Sequence, residues 1–523
     1  MNKPKNWGSI SPRKVLARRW LAWRKKPSPT SSTRNCSPFL HTSLTCESLK
    51  TNMAKAAHLF SGNASDSLIN RVTPTVEQRE FLQQQWNDMR DYVCPNLQVE
   101  SGYPISTWLQ GSYKYGTLIR PVHIGEEYDV DVGIYFKWEK KDGEAFPAPE
   151  QLRTWVQTEL LGYADECSDV QKIEDPAKER CSRAVYKMQF HIDTPVYHLD
   201  PSTDTRQLAT LSNVWEKSDP KPIYKWFKEA ASGSTREQLR RLIRYLKGWA
   251  AVAFVETPES RPSSILLTVV VTEAYQDGWV DRLIALRDDE DALVDVIVRI
   301  HKRLFAAREV RNPVDKNEDL NRMSADAWDA FLSSLQSLED AAARAVDAAD
   351  EAASALIWSE PFSFLMPLPD VEAVEVQEEA SGRAVMQIPD VVITVYVGDS
   401  KVAHASYENE VPNVGKDCWL EFRIKNPHII PDYATVEWTV RNAGQEADDL
   451  GDLGHRQMGM RLLSVREHSS YTGKHFMDCV VRLNGQVYAV RRVPVHIKNI
   501  LRAERNPPKP AYTKFVSRLR RRR

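Results

Sequence analysis

The chain has 523 residues, 42% of them apolar and 27% charged, and a formal net charge of −1. These values fit a soluble globular protein of roughly two to four domains and give no global pull toward nucleic acid or a membrane. The seven cysteines are odd in number and form no CxxC pair, which argues against a disulfide framework or a zinc module and fits a reducing cytoplasm.

Residues 1–52 are basic, with Glu47 as their only acid, and Ser, Thr and Pro crowd their second half. We expect residues 1–58 to be a disordered basic extension, with Met53 as an alternative start; a targeting or nucleic-acid-binding arm is the rival reading. Val76–Val93 has the spacing of an amphipathic helix. From Ile105 to about Tyr197, short apolar alternations predict strands, among them Tyr128–Phe136 and Ala184–Tyr197. Residues 222–358 read as mostly helical. Arg236–Phe254 and Ser264–Tyr275 are the clearest helices, and Leu335–Ile357 reads as a solvated amphipathic one. No apolar run reaches the roughly 18 residues of a spanning helix. Residues 360–382 hold Pro361, Pro367, Pro369 and a string of glutamates, and read as a linker. Beyond it Val391–Val397, Trp419–Lys425, Thr435–Arg441, His475–Leu483 and Val487–Ile497 alternate like strands, with Asn484-Gly485 as a turn. The tail from Arg505 is proline-rich and ends in arginines. The expected domains are 59–220, 221–359 and 383–503, with 504–523 a basic tail.

Leu109-Gln110-Gly111-Ser112 follows an apolar strand and opens an expected helix, Tyr113–Ile119. A Gly-Ser turn at a helix start aims backbone N–H groups and a hydroxyl at a phosphate. Asp129-Val130-Asp131 follows about 17 residues on. In a strand these carboxylates share one face, roughly 7 Å apart, while Val130 and Val132 face the core. A hard divalent cation such as magnesium relieves their repulsion. Asp193, inside the strand-like His191-Ile192-Asp193-Thr194-Pro195, is a third acid. Three carboxylates on adjacent strands can hold two divalent ions for in-line phosphoryl displacement, with Asp193 on the side of the attacking hydroxyl. Lys247 lies in a helical run, and Pro262-Ser263-Ser264 opens the next helix. A lysine and a helix-start serine could close on a triphosphate, although Ser263 and Ser264 also suit plain N-capping.

Gln110-Gly111-Ser112, Tyr128-Asp129-Val130-Asp131-Val132-Gly133, His191 to Tyr197, Ser234-Thr235, Leu242–Trp249 and Pro262-Ser263-Ser264-Ile265 together resemble the bacterial cGAS/DncV-like nucleotidyltransferases. The match in order and spacing covers about residues 60–330. The resemblance implies an α+β fold: a polymerase-β-like nucleotidyltransferase core, then a helical domain, with the active site between them. It implies Asp129, Asp131 and Asp193 as catalytic metal ligands for two Mg2+ ions, with Mn2+ as an alternative. It implies Gln110, Gly111, Ser112, Arg183, Lys247, Ser263, Ser264 and Asp319 as nucleotide-binding residues. The implied activity is synthesis of a cyclic purine dinucleotide from ATP and GTP, a second messenger of anti-phage defence acting on a downstream effector protein. A linear oligoadenylate or RNA nucleotide-adding transferase is one alternative, and a catalytically inactive nucleotide sensor is another. The C-terminal segment, through Trp438 to Gly444, Tyr471 to His475, Cys479 and Asn484-Gly485, resembles the sensor domain associated with these synthases. A β-sandwich holding a nucleotide-like ligand near His455, Tyr471 and His475 is expected there. The protein is expected in the cytoplasm without membrane attachment, with nucleic-acid contact through the tails left open.

Overall fold

Thr75 starts the first long helix: its hydroxyl accepts the Gln78 N–H, and the Gln78 side chain accepts the Thr75 N–H. The computed structural model describes residues 55–62, 67–140, 145–187, 189–278, 287–368, 388–398 and 400–499. The expected extension up to residue 54, residues 369–382 of the expected linker, and the basic tail lie outside them. The helix from Thr75, expected to end at Val93, runs Val76–Ser101 and contains Pro95. Its apolar stripe runs through Met89 and Val93 and continues past the proline as Leu97. Gly102, with φ +73°, then ends it.

A seven-stranded sheet forms the first core. Its strands are β1 Ile105–Leu109, β2 Tyr128–Lys137, β3 Val170–Ile173, β4 Cys181–Tyr186, β5 Phe190–Asp200, β6 Thr205–Ala209 and β7 Trp215–Lys217. The order is β1-β2-β5-β4-β3, with β6 and β7 extending from β5. Val76–Ser101 and a second helix, Pro149–Glu166, cover one face through Phe81, Leu82, Leu97, Leu152, Val156 and Leu160. That second helix falls where only strands were expected. The expected single strand Ala184–Tyr197 is instead the hairpin of β4 and β5, turned at Gln189 with φ +54°. Alternation continues through so tight a turn, so periodicity alone could not reveal the break.

The helical region contains Pro220–Ala230, Gly233–Ala253, Ser264–Asp277, Asp289–Ala306, Ala325–Val346 and Glu351–Phe362. Leu335–Ile357, expected as one solvated helix, spans parts of the last two. It buries Leu335, Leu338, Ala342, Ala345, Ala355 and Leu356 in a core shared with Trp249 and Phe331. Alanines allow close helix approach, so a stripe of low hydropathy is still a packed one. Phe362, Phe364, Leu365 and Met366, inside the expected linker, are buried in the same core.

The C-terminal region is a β-sandwich. Its strands are β8 Val391–Val397, β9 Ala403–Glu408, β10 Val411–Gly415, β11 Cys418–Ile424, β12 Thr435–Arg441, β13 Gly454–Met460, β14 Ser464–His468, β15 Gly473–Leu483 and β16 Gln486–Lys498. One sheet has the order β10-β16-β15-β12-β13 and the other β14-β11-β8-β9. Ile393, Leu420 and Phe422 of one sheet meet Val436, Trp438, Val481 and Val493 of the other. Asn484 and Gly485 both have positive φ, as the two-residue hairpin turn requires. The sandwich is tied to the rest of the molecule by polar seams. Arg482 pairs with Glu360 at 2.7 Å, and Arg120 pairs with Asp448 at 2.9 Å.

Candidate active site

β2 and β5 run parallel, which sets Asp129 opposite His191 and Asp131 opposite Asp193. Val130 and Val132 are buried on one face, leaving Asp129 and Asp131 on the other. The hairpin brings Arg183 of β4 opposite Asp193, where it forms a two-pronged ion pair at 2.6 and 2.7 Å. Burial disfavours the Asp193 anion, but the Arg183 guanidinium outweighs burial and holds the carboxyl below its usual range. Asp131 is pushed the other way, up to about 7, by burial and then by the charges of Asp129 and Asp193.

His191 is the ligand candidate that sequence reasoning missed. One atom each from Asp129, His191 and Asp193 lie within 4.8 Å of one another. The His191 ring reaches Glu127 at 2.7 Å and Asp129 at 3.1 Å. Its two-residue spacing from Asp193 on one strand was the available signal. Two hard carboxylate donors, an imidazole and a third acid whose ionisation its neighbours oppose make a donor set that fits a divalent cation.

Gly111 lays the turn against this cluster. Its φ is +56°, and a Cβ there would lie 2.0 Å from an Asp131 carboxylate oxygen. Only glycine permits both the backbone shape and the approach. The Ser112 hydroxyl makes no hydrogen bond among the described residues and is free to meet a ligand. Gln110 is different. It is 8% exposed, and its amide is locked between the Tyr135 hydroxyl at 3.0 Å and the Tyr197 hydroxyl at 3.2 Å. Its side chain braces β2 and β5. Gly133 makes room for it, since a Cβ there would lie 2.1 Å from the Gln110 amide nitrogen.

The helix after the turn is Gly111–Tyr115, shorter than expected because Gly116, with φ +69°, terminates it. That exposes the Thr117 carbonyl and hydroxyl to the Lys247 ammonium, at 3.2 and 3.3 Å. Lys247 is 4% exposed, so it is neither a solvated lysine nor a freely reaching one. Burial and then the Arg244 charge push it down to about 7, while Asp129 and Asp131 pull it upward. Ser263 caps Ser264–Asp277 by accepting the Leu266 N–H at 3.3 Å. Ser264 is exposed at that helix start. The Asp319 carboxylate accepts the Val310 and Asn321 N–H groups. Through these bonds it shapes its own loop, and the residue is exposed there.

In the sandwich, His455 pairs with Glu467 at 2.9 Å on β13 and β14. His475 is buried, with its ring 2.9 Å from the Tyr471 carbonyl, and burial lowers its pKa. All three expected pocket residues lie within reach of the Asp452 charge.

Residues 105–197 match the nucleotidyltransferase domain of the cyclic GMP-AMP synthase DncV-like family, and residues 375–498 match the adenylyl/guanylyl and SMODS C-terminal sensor domain. The chain carries a DncV-like nucleotidyltransferase domain and a C-terminal sensor domain. It is 27% identical over 419 residues to a protein of Escherichia albertii named cyclic GMP-AMP synthase, spanning 79% of this chain and 89% of that one. It is 23% identical over 305 residues to a c-di-GMP synthase of Roseivirga ehrenbergii, spanning 52% of this chain and 75% of that one. The solved Vibrio cholerae di-nucleotide cyclase DncV, in complex with GTP, shares the fold. Its TM-score is 0.52 at 19% identity, over 60% of this chain and 97% of that one. The nucleotidyltransferase match ends at Tyr197, so it contains Asp129, Asp131, Arg183, His191 and Asp193 but not Lys247. Among the described residues no helix is long and apolar enough to cross a membrane.

Proposed function

We propose that this nucleotidyltransferase joins ATP and GTP into a cyclic purine dinucleotide, a second messenger of anti-phage defence read by a downstream effector protein. The observation that carries this reading is the Gly111 turn laid on Asp131 inside the cluster of Asp129, Asp131 and Asp193. The E. albertii relative, named cyclic GMP-AMP synthase, supports it, and the R. ehrenbergii relative, named c-di-GMP synthase, supports cyclic dinucleotide synthesis.

In this reading the Gly111-Ser112 turn receives the donor triphosphate, and the free Ser112 hydroxyl orients it. Asp129, Asp131 and Asp193, with His191 beside them, would hold two Mg2+ or Mn2+ ions. When bound, these supply charge neutralisation at the phosphates and acidify the attacking hydroxyl. Arg183 holds Asp193 ionised and oriented, so that its carboxylate can take the proton of the attacking ribose hydroxyl. The hydroxyl oxygen bonds to the α-phosphorus as the bond to the β-phosphate bridge breaks, and pyrophosphate departs. A second transfer on the remaining triphosphate closes the ring. Lys247 supports the turn from behind through Thr117.

The test is incubation of the full chain with α-labelled ATP, GTP, CTP and UTP and Mg2+ or Mn2+, followed by phosphatase. A phosphatase-resistant product that requires ATP and GTP together is expected. Product that phosphatase always degrades would refute cyclisation. Synthesis that survives Asp129→Ala with Asp131→Ala would refute the acid cluster.

A further inference from the structure

Where the sandwich meets the core lies a second cleft with a volume of about 430 Å³. That volume suits a mononucleotide-sized ligand. Arg71, Arg79 and Arg120 line it from the core, and Asp448 of the sandwich is the one acid in its wall. Arg120 is 3% exposed and grips Asp448 twice, at the carboxylate and at the carbonyl, both at 2.9 Å. Arg71 is also buried and reaches the Leu453 carbonyl at 2.7 Å. Arg79 is exposed, and among the described residues its side chain has no hydrogen bond or ion pair. After burial itself, the Arg79 charge is what most depresses the neighbouring Arg244, to about 10. Two further polar atoms in the wall, the Thr73 hydroxyl and the Arg120 Nε, are buried without a hydrogen-bond partner. Buried donors without partners are costly and uncommon, and these two belong to residues that line one cationic cleft, a setting that suits an anion.

We propose that this cleft binds a small phosphate-bearing ligand of nucleoside-monophosphate size, held between Arg79, Arg71 and Arg120. The inference stands apart from the proposed cyclase activity and from the residues that carry it. Its position links the ligand to the sensor. The ligand phosphate would compete with Asp448 for Arg120. The Asp448 carbonyl also accepts from Gln78 at 3.0 Å, and nearby Leu450 accepts from Gln189 at 2.8 Å. Gln189 stands two residues before His191, and Asp448 lines both this cleft and the neighbouring one at the leading end of β5.

Titration calorimetry of the full chain with AMP tests this. Saturable binding is expected, with displacement of AMP by inorganic phosphate. Arg79→Glu, at an exposed position, is expected to weaken binding about tenfold or more. The Asp129→Ala, Asp131→Ala double variant is expected to bind AMP as the wild type does. Absence of binding at millimolar AMP, equal affinity in Arg79→Glu, failure of phosphate to displace AMP, or loss of binding in the double variant would each overturn the proposal. Failure of the cyclase assay leaves all four readings intact.

Discussion

Arg183 and Asp193 show how one residue pair tunes the site. A buried carboxylate with no partner tends to protonate, and the Arg183 fork prevents this while fixing both carboxylate oxygens. Replacing Arg183 by Met is expected to lower the rate of nucleotidyl transfer about 10–100-fold, the usual cost of removing a partner that orients a metal-binding residue. Arg183→Lys is expected to restore only part of it, because an ammonium is a point donor and cannot span both oxygens. Initial rates at saturating nucleotide measure this, and a Met variant as fast as the wild type would contradict it. Asp129 and Asp131 were legible as a pair because strand periodicity of two places them on one face, whereas the alignment of Asp193 with them depends on the register of β2 and β5. The structural task of Gln110 was not, because its partners Tyr135 and Tyr197 are 25 and 87 positions away.

At the scale of elements, β15 carries Asp478, fully buried between Arg441 of β12 at 2.5 Å and Arg492 of β16 at 2.9 Å. Burial opposes its charge, but Arg492 and Arg441 together hold the carboxyl below its usual value. A depressed folded pKa adds stability that is present above the unfolded value near 3.8 and is lost as pH falls through the folded one. The Asp478 share of stability should therefore disappear only below about pH 4. Asp478→Asn leaves two buried guanidinium groups without their anion, at a cost of about 3 kcal/mol at neutral pH. Denaturant unfolding at pH 7 and pH 3 should show a large gap between variant and wild type at pH 7 and a smaller one at pH 3. Equal stability at pH 7 would show that the triad contributes nothing. The strands of this sandwich were readable where one face is fully apolar, as in β8 and β12. β9 and β13 escaped notice because their faces are mostly exposed or mixed.

At the scale of the molecule, the short helix Gln445–Asp449 and the turn after it press on the core beside the leading ends of β2 and β5. Asp448→Ala removes the ion pair to Arg120 and is expected to speed amide exchange in residues 120–128 and to change basal synthesis several-fold. Unchanged exchange and unchanged synthesis together would show that the sensor is not coupled to the site by this route. The sequence by itself determined the acid pair on one strand face, the third acid, the Gly-Ser turn and the change from helices to an all-β region, because periodicity and turn chemistry are local properties. Only the tertiary structure decided that Arg183 clamps Asp193, that His191 joins the acids, that Lys247 is buried behind the turn, and that three arginines meet the sandwich at one cleft. Each of these depends on a hairpin or an interface joining distant residues, and the free energy of such contacts is set by burial and pairing that no local pattern encodes.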